Sequence, residues 1–216
     1  MLMPGIHYFC AMTGIKNIIF DLGGVVLDID FQLTNKAFEA LGLKEFSNHI
    51  TQHHITPLFE AYETGKIDDA AFIKGVRELS GLPLTEAEIT TAWNALLLEF
   101  LPPRIEFLQK LRTRYRLFLL SNTNAMHLRE FNGRLKRTSG VYLEDIFEKT
   151  YYSHAVGLRK PHAEIYRLVI AENGLNPSET LFIDDTATNF TGAEEVGLKV
   201  LHLKPPMTIL DLEVDN

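Results

Sequence analysis

Apolar residues gather in short runs that stop at polar ones. Residues 15–20 form one such run, which ends at Asp21 and is followed by Gly23-Gly24. Residues 117–120 form a second, ending in Ser121-Asn122, and residues 181–183 a third, ending in Asp184-Asp185. Short apolar runs bounded by turn residues predict strands buried on both faces, as in a parallel sheet. Residues 199–203 predict another strand, and residues 149–153 a weaker one ahead of the loop Gly157-Leu158-Arg159-Lys160-Pro161. Helical patterns lie between them: residues 105–112, a segment starting near Asn124, residues 163–171, and residues 187–196 with Gly197 as a stop. The alternation predicts an α/β fold, a Rossmann-like three-layer core with a doubly wound parallel sheet. Ligands of such sheets bind beyond the carboxyl ends of the strands, where the polar residues named above would meet.

Residues 31–100 follow a different rule. No strand pattern interrupts them, and their apolar residues recur at helical spacing. Phe72, Val76 and Leu79 fall on one face behind Asp68, a predicted N-cap. Thr85 and Glu88 have capping-box spacing ahead of Ile89, Ala92, Trp93, Leu96 and Leu97, which share another face. The reading is a helical-bundle cap inserted after the first strand of the sheet. It places the cap at residues 31–101 and the α/β catalytic core at residues 13–30 and 102–216, with residues 28–30 and Leu101-Pro102-Pro103 as hinges. Residues 1–12 read as an N-terminal extension, with Met12 as an alternative start. That stretch lacks a basic leader and is too short to span a bilayer.

At 216 residues the chain can bury a core without metal or disulfide staples. Its one cysteine, Cys10, allows no internal disulfide and fits a cytoplasmic location. A formal net charge of -7 gives no broad attraction for nucleic acid or an anionic membrane. A small molecule is the default partner, and monomer and dimer stay equally open.

Taken singly, each polar strand end is ordinary turn or cap chemistry. Their joint order is specific. Phe20-Asp21-Leu22-Gly23-Gly24-Val25 is followed by Leu120-Ser121-Asn122-Thr123-Asn124, then by the Arg159-Lys160-Pro161 loop, then by Phe182-Ile183-Asp184-Asp185-Thr186-Ala187-Thr188-Asn189. The series resembles the four sequential motifs of the haloacid dehalogenase-like hydrolase superfamily, with the insertion where members with a first-type helical cap carry theirs. Residues 27–31 and the segment Glu63-Thr64-Gly65-Lys66-Ile67 are similar to the glucose-1-phosphate phosphatase branch. The resemblance implies a magnesium-dependent phosphatase of a small phosphorylated metabolite, a sugar phosphate such as a hexose 1-phosphate. It also implies an aspartyl-phosphate intermediate on Asp21.

Displacement at phosphorus needs a nucleophile, neutralisation of the phosphoryl oxygens and a proton route. Asp21 offers an attacking carboxylate, which splits one hard hydrolysis into two steps. Asp184 and Asp185 offer the hard oxygens that Mg²⁺ prefers. The resemblance makes Asp185 the closer metal ligand and Asp184 a direct or water-mediated one, with the carbonyl of Gly23 contributing beside Asp21. Lys160 supplies a compact positive charge for carboxylate and phosphate. Ser121 and the backbone N–H of Asn122 can donate to a phosphoryl oxygen, and Asn189 stands where it can orient one of these groups. Arg159 reads equally as a substrate contact or as surface. Tyr62, Glu63, Trp93 and Asn94 are the cap's candidates for choosing the substrate.

One position departs from the pattern. Phosphatases of this superfamily usually carry a second aspartate two residues after the nucleophile, where it protonates the leaving group; here that position is Gly23. A general acid is typically worth about 10² to 10⁴ in rate. The favoured explanation is a leaving group that needs little protonation, such as the anomeric oxygen of a sugar 1-phosphate or the acyl oxygen of a mixed anhydride. A second is a replacement from Asp28, Asp30 or the cap, with Glu63, His53 and His54 as candidates. A third is a weak or inactive protein that binds a phosphorylated ligand or a protein partner. Retention of Asp21, Lys160, Asp184 and Asp185 together weighs against the third, and the intact metal pair weighs against a metal-free dehalogenase.

Other features have plainer readings. His53-His54 lacks the one-turn spacing of a helical metal pair and reads as a solvated face. Phe72, Trp93, Leu97 and Phe100 read as cap core, and Arg134, Lys136 and Arg137 as surface near a helix end.

Overall fold

The computed structural model describes residues 12–43, 46 and 55–212; His53, His54 and Cys10 lie outside the described residues. In chain order the strands are β1 (Asn17–Phe20), β2 (Leu27–Ile29), β3 (Leu97–Phe100), β4 (Arg116–Ser121), β5 (Lys149–Tyr152), β6 (Thr180–Asp184) and β7 (Lys199–His202). The helices are α1 (Phe31–Ala40), α2 (Pro57–Glu63), α3 (Asp69–Ser80), α4 (Glu86–Asn94), α5 (Pro102–Leu111), α6 (Ala125–Ser139), α7 (Leu143–Ile146), α8 (Ser153–Val156), α9 (Ala163–Asn173) and α10 (Phe190–Glu195).

Five strands form a parallel sheet in the order β5-β4-β1-β6-β7. Period-two alternation splits their side chains between its faces. Ile18, Phe20, Leu117, Leu119, Leu181 and Ile183 enter one apolar cluster, which Ile105 and Leu108 of α5 and Phe131 and Leu135 of α6 complete. Ile19, Phe118, Leu120 and Phe182 enter another, with Ile165 and Val169 of α9 and Ala193 of α10. Helices therefore cover both faces, which gives the three-layer α/β architecture. The register pairs Phe20 with Leu119 on one side and Ile183 on the other, so the polar ends of three neighbouring strands lie together.

Helices α1 to α4 build a third cluster, dominated by Phe38, Phe46, Phe59, Tyr62, Phe72 and Trp93. Their starts are set locally. Asp68 accepts from the Ala71 N–H at 2.9 Å, and Thr85 and Glu88 form a reciprocal capping box. Met126, from the first turn of α6, belongs to this cluster as well.

Several expectations change. A strand does interrupt the inserted segment: β3 pairs antiparallel with β2, Leu27 opposite Phe100 and Ile29 opposite Leu97. Helix α4 stops at Asn94 because a tertiary partner captures the chain there. The Thr34 hydroxyl donates to the Trp93 carbonyl at 3.2 Å and accepts from the Leu96 N–H at 3.0 Å. Leu97 and Phe100 consequently pack in the cluster of the main sheet rather than among the cap helices. Leu79 is 40% exposed and off the buried face of α3. The segment after Asp185 is a 3-10 turn, Ala187–Asn189, before α10 begins. Arg134 is not a surface residue: it is largely buried and donates to Glu130 Oε1 at 2.7 Å and to the Leu97 carbonyl. Among the described residues no helix is long and apolar enough to cross a membrane.

Candidate active site

Asp21 follows the last residue of β1, with its N–H donating to the Ile183 carbonyl at 2.9 Å. Lys160 comes from the loop after α8, and a reciprocal pair of hydrogen bonds fixes that loop. Asn122 Oδ1 accepts from the Lys160 N–H at 2.9 Å, and Asn122 Nδ2 donates to the Lys160 carbonyl at 3.0 Å. The Lys160 side chain is fully buried, and its Nζ lies 2.7 Å from both Asp21 Oδ1 and Asp184 Oδ2. Asp184 is in turn held in place: Oδ1 accepts from the Thr186 N–H at 2.8 Å, and Asn189 Nδ2 reaches both carboxylate oxygens at 3.0 Å. Asn189 thus orients Asp184.

Asp185 completes a trio of carboxylates. Asp21, Asp184 and Asp185 each present a ligand oxygen within 4.8 Å of the others. Gly24 makes room for this. Its φ is +74°, and a β-carbon there would lie 2.2 Å from Asp185 Oδ2. Three hard oxygens closing on one point, beside a glycine that a side chain would obstruct, fit a divalent cation. Charge points the same way. Burial pushes the Asp21 carboxyl up to about 8, against the pull of Lys160 and with Asp184 and Asp185 adding to the rise. Burial works to lower the Lys160 amine, but the Asp184 and Asp21 carboxylates outweigh it and hold it above its usual value. One ammonium among three carboxylates leaves negative charge for a cation to neutralise.

Beside these groups lies a cavity of about 70 Å³ whose lining includes Gly23, Ile29, Glu63, Trp93, Ser121 and His127. The space next to Gly23 is apolar: a β-carbon on it would lie 2.8 Å from Ile29 Cδ1. Glu63, at the end of α2, reaches Arg159 across 3.3 Å, and both are largely buried. Burial holds the Glu63 carboxyl above the usual carboxylate range, opposed by the Arg159 guanidinium.

Two of the four candidates from the inserted helices stand elsewhere. The Tyr62 hydroxyl donates to Asp69 Oδ1 at 2.6 Å and accepts from the Met126 N–H at 3.2 Å, so it ties α2 to α6. Asn94 is buried at the end of α4 and does not line the cavity. Asp28 pairs with buried Arg104 at 2.6 Å, and Asp30 caps α1 through the Gln32 N–H at 2.8 Å. Three lining or supporting residues escaped sequence reasoning: Ile29, Asn124 and His127. Asn124 accepts from Trp93 Nε1 at 3.3 Å while capping α6 through the His127 N–H at 3.0 Å. An Asn ahead of a helical run signals the cap, but nothing in sequence signals its bond to Trp93.

A parallel α/β core that gathers a carboxylate trio and a buried lysine at its strand ends defines a class of hydrolase with a divalent metal. The chain belongs to the haloacid dehalogenase-like hydrolases, whose family model matches residues 15–197. It is 35% identical over 185 residues to a D-ribitol-5-phosphate phosphatase of Bacteroides thetaiotaomicron, covering 86% of this chain and 90% of that protein. It is 27% identical over 199 residues to a sesquiterpene phosphatase of Aspergillus oryzae, covering 88% and 91%. The crystal structure of a family enzyme of Bacteroides thetaiotaomicron, in complex with magnesium and inorganic phosphate, superposes with a TM-score of 0.82. That match is 33% identical and covers 89% of this chain and 96% of the other. Membership and site together give the enzyme class: a phosphatase of small phosphorylated molecules whose hard carboxylate oxygens suit magnesium.

Proposed function

We propose that the chain hydrolyses the phosphate monoester of a small sugar or sugar alcohol, with Asp21 as nucleophile. The convergence of Asp21, Asp184, Asp185 and Lys160 carries the reading. Asp21 attacks phosphorus and takes the phosphoryl group as an acyl phosphate, which water then hydrolyses. Lys160, held at 2.7 Å by Asp184, keeps the Asp21 carboxylate aimed and offsets the charge of the arriving phosphate. The Ser121 hydroxyl and the Asn122 N–H donate to phosphoryl oxygens, while the Asn122 side chain pins the Lys160 loop. Asp21, Asp184, Asp185 and the Gly23 carbonyl are the groups that would hold magnesium, which would supply positive charge to offset that of the carboxylates and the phosphate.

Glu63 lines the cavity and is paired with Arg159, so an acceptor and a donor stand together at its edge, a pairing suited to the hydroxyl groups of a polyol. Within this class a hexose 1-phosphate is favoured by Gly23, because an anomeric oxygen leaves with little protonation. The name of the Bacteroides relative points instead to a primary alkyl ester.

A panel of hexose 1-phosphates, hexose 6-phosphates and ribitol 5-phosphate, assayed with magnesium and with EDTA, tests the proposal. Turnover should need magnesium and vanish in Asp21→Asn. Turnover that ignores the Asp21 substitution would remove the nucleophile, and a clear preference for 6-phosphates would remove the 1-phosphate assignment.

A further inference from the structure

If the substrate is the primary alkyl ester to which the relative's name points rather than a 1-phosphate, its alkoxide has to be protonated, and Gly23 brings no acid to that oxygen. We propose that Glu63 does so. Its carboxyl gives a proton to the leaving oxygen in the first step and takes one from the attacking water in the second. The inference rests on the phosphatase reading above and adds a catalytic residue to it.

Among the described residues, the cavity beside Gly23 is lined by two titratable side chains, Glu63 and His127. Both ring nitrogens of His127 are engaged, Nδ1 with Asn124 Nδ2 at 3.0 Å and Nε2 with the Trp93 carbonyl at 3.1 Å. It has no proton to give without breaking that set. Asp28 is held by Arg104, and Asp30 by the first turn of α1. Among the described residues Glu63 remains, contributed to the cavity by the end of α2.

Its surroundings suit the task. The groups that act on Glu63 are Arg159 and Lys160, which favour its anion, and Glu60, which opposes it. The Arg159 contact is long at 3.3 Å, and the Arg159 Nε is buried without a hydrogen-bond partner. A phosphate dianion arriving beside Lys160 would offer the neighbouring Arg159 guanidinium a second anionic partner, in competition with Glu63. Loss of its pairing and gain of a nearby negative charge both favour the protonated carboxyl that an acid needs. In the first step an Asp21 oxygen bonds to phosphorus. The bond from phosphorus to the alcohol oxygen breaks with its electron pair on oxygen, and that oxygen takes the Glu63 proton. In the second step water attacks phosphorus, its proton passes to the Glu63 carboxylate, and the Asp21–phosphorus bond breaks to release inorganic phosphate. Both carboxyl groups return to their starting states.

The test is the dependence of a Glu63→Gln penalty on the leaving group. With ribitol 5-phosphate, single-turnover release of the alcohol should fall by about 10² to 10⁴. With p-nitrophenyl phosphate, whose phenolate leaves with little protonation, the nitrophenol burst should fall far less than alcohol release does. Acid quenching should then trap more phosphoryl-enzyme than in the native protein, because the second step lacks its base. The retained burst also reports that the variant is folded. Should Glu63→Gln fail to fold, Glu63→Ala with added formate is the second variant, and recovery of alkyl phosphate turnover by formate is the expected result. An equal penalty on both substrates, no penalty on either, or no formate recovery overturns the proposal. Asp21→Asn, assayed for the burst alone, separates the two levels: a surviving burst defeats the phosphatase reading whatever Glu63 does.

Discussion

Trp93 and His127 stack with ring centroids 4.8 Å apart, although one comes from an inserted helix and the other from a core helix. The imidazole works there as a neutral ring, and burial pushes it down to about 4. An unfolded histidine titrates near 6.5, so between these values the unfolded chain binds a proton that the folded one does not. Stability is therefore complete above about pH 6.5 and is lost as pH falls toward 4, by about 3 kcal/mol in all from this group. Urea midpoints measured from pH 7 to pH 4.5 should fall, and the slope should flatten in His127→Gln. An unchanged slope in the variant would assign the loss to other groups.

Gly24 predicts a defect confined to the metal site. Gly24→Ala forces a β-carbon against Asp185 and a left-handed backbone on alanine. The second effect alone costs about 1–2 kcal/mol. Magnesium affinity should drop about 10- to 100-fold, as when a supporting group is displaced. Gly81→Ala is the control, since Gly81 has φ +65° but nothing within 4 Å of its added carbon. It should lose similar stability and no magnesium affinity, as read by calorimetric titration.

Lys160→Met should be inactive and should melt lower, because removing one member of a buried charge set costs about 3–5 kcal/mol. Magnesium is the other source of positive charge for Asp21 and Asp184. The rise in melting temperature on adding magnesium should accordingly be larger in Lys160→Met than in the native chain. Equal rises would mean that lysine and metal do not share these carboxylates.

Gly23 and Ile29 offer a gain-of-function test. The obstacle to a β-carbon at residue 23 is the flexible end of Ile29, and Gly23→Asp combined with Ile29→Val removes the atom that meets it. Placed in the Glu63→Gln background, the pair should restore hydrolysis of ribitol 5-phosphate without altering the burst with p-nitrophenyl phosphate. Failure to restore it in a folded variant would show that residue 23 cannot reach the leaving oxygen.

The strand ends were legible because burial writes itself into composition: Ile18, Phe118 and Phe182 have no polar face to show, so their runs and polar terminators stand out. The capping signals at Asp68 and Thr85 were legible because each acts within four residues of itself. What failed was decided at long range. Leu96 and Leu97 continue the apolar spacing of α4, and only Thr34, 62 residues away from Leu96, shows where that helix ends. Arg159 and Glu63 are 96 residues apart, so their pairing had no local signature. Arg134 looked like surface because it belongs to a basic cluster near a helix end; its partners are carbonyls of β3, a strand the spacing had concealed.

Met126 packs among aromatic residues of the inserted helices while its N–H is bound by Tyr62. A chimaera that imported a different set of helices at residues 31–95 would meet the old first turn of α6 and find neither a matching methionine nor a tyrosine to receive it. The portable unit is accordingly discontinuous, and a successful graft has to carry residues 124–127 along with the insertion.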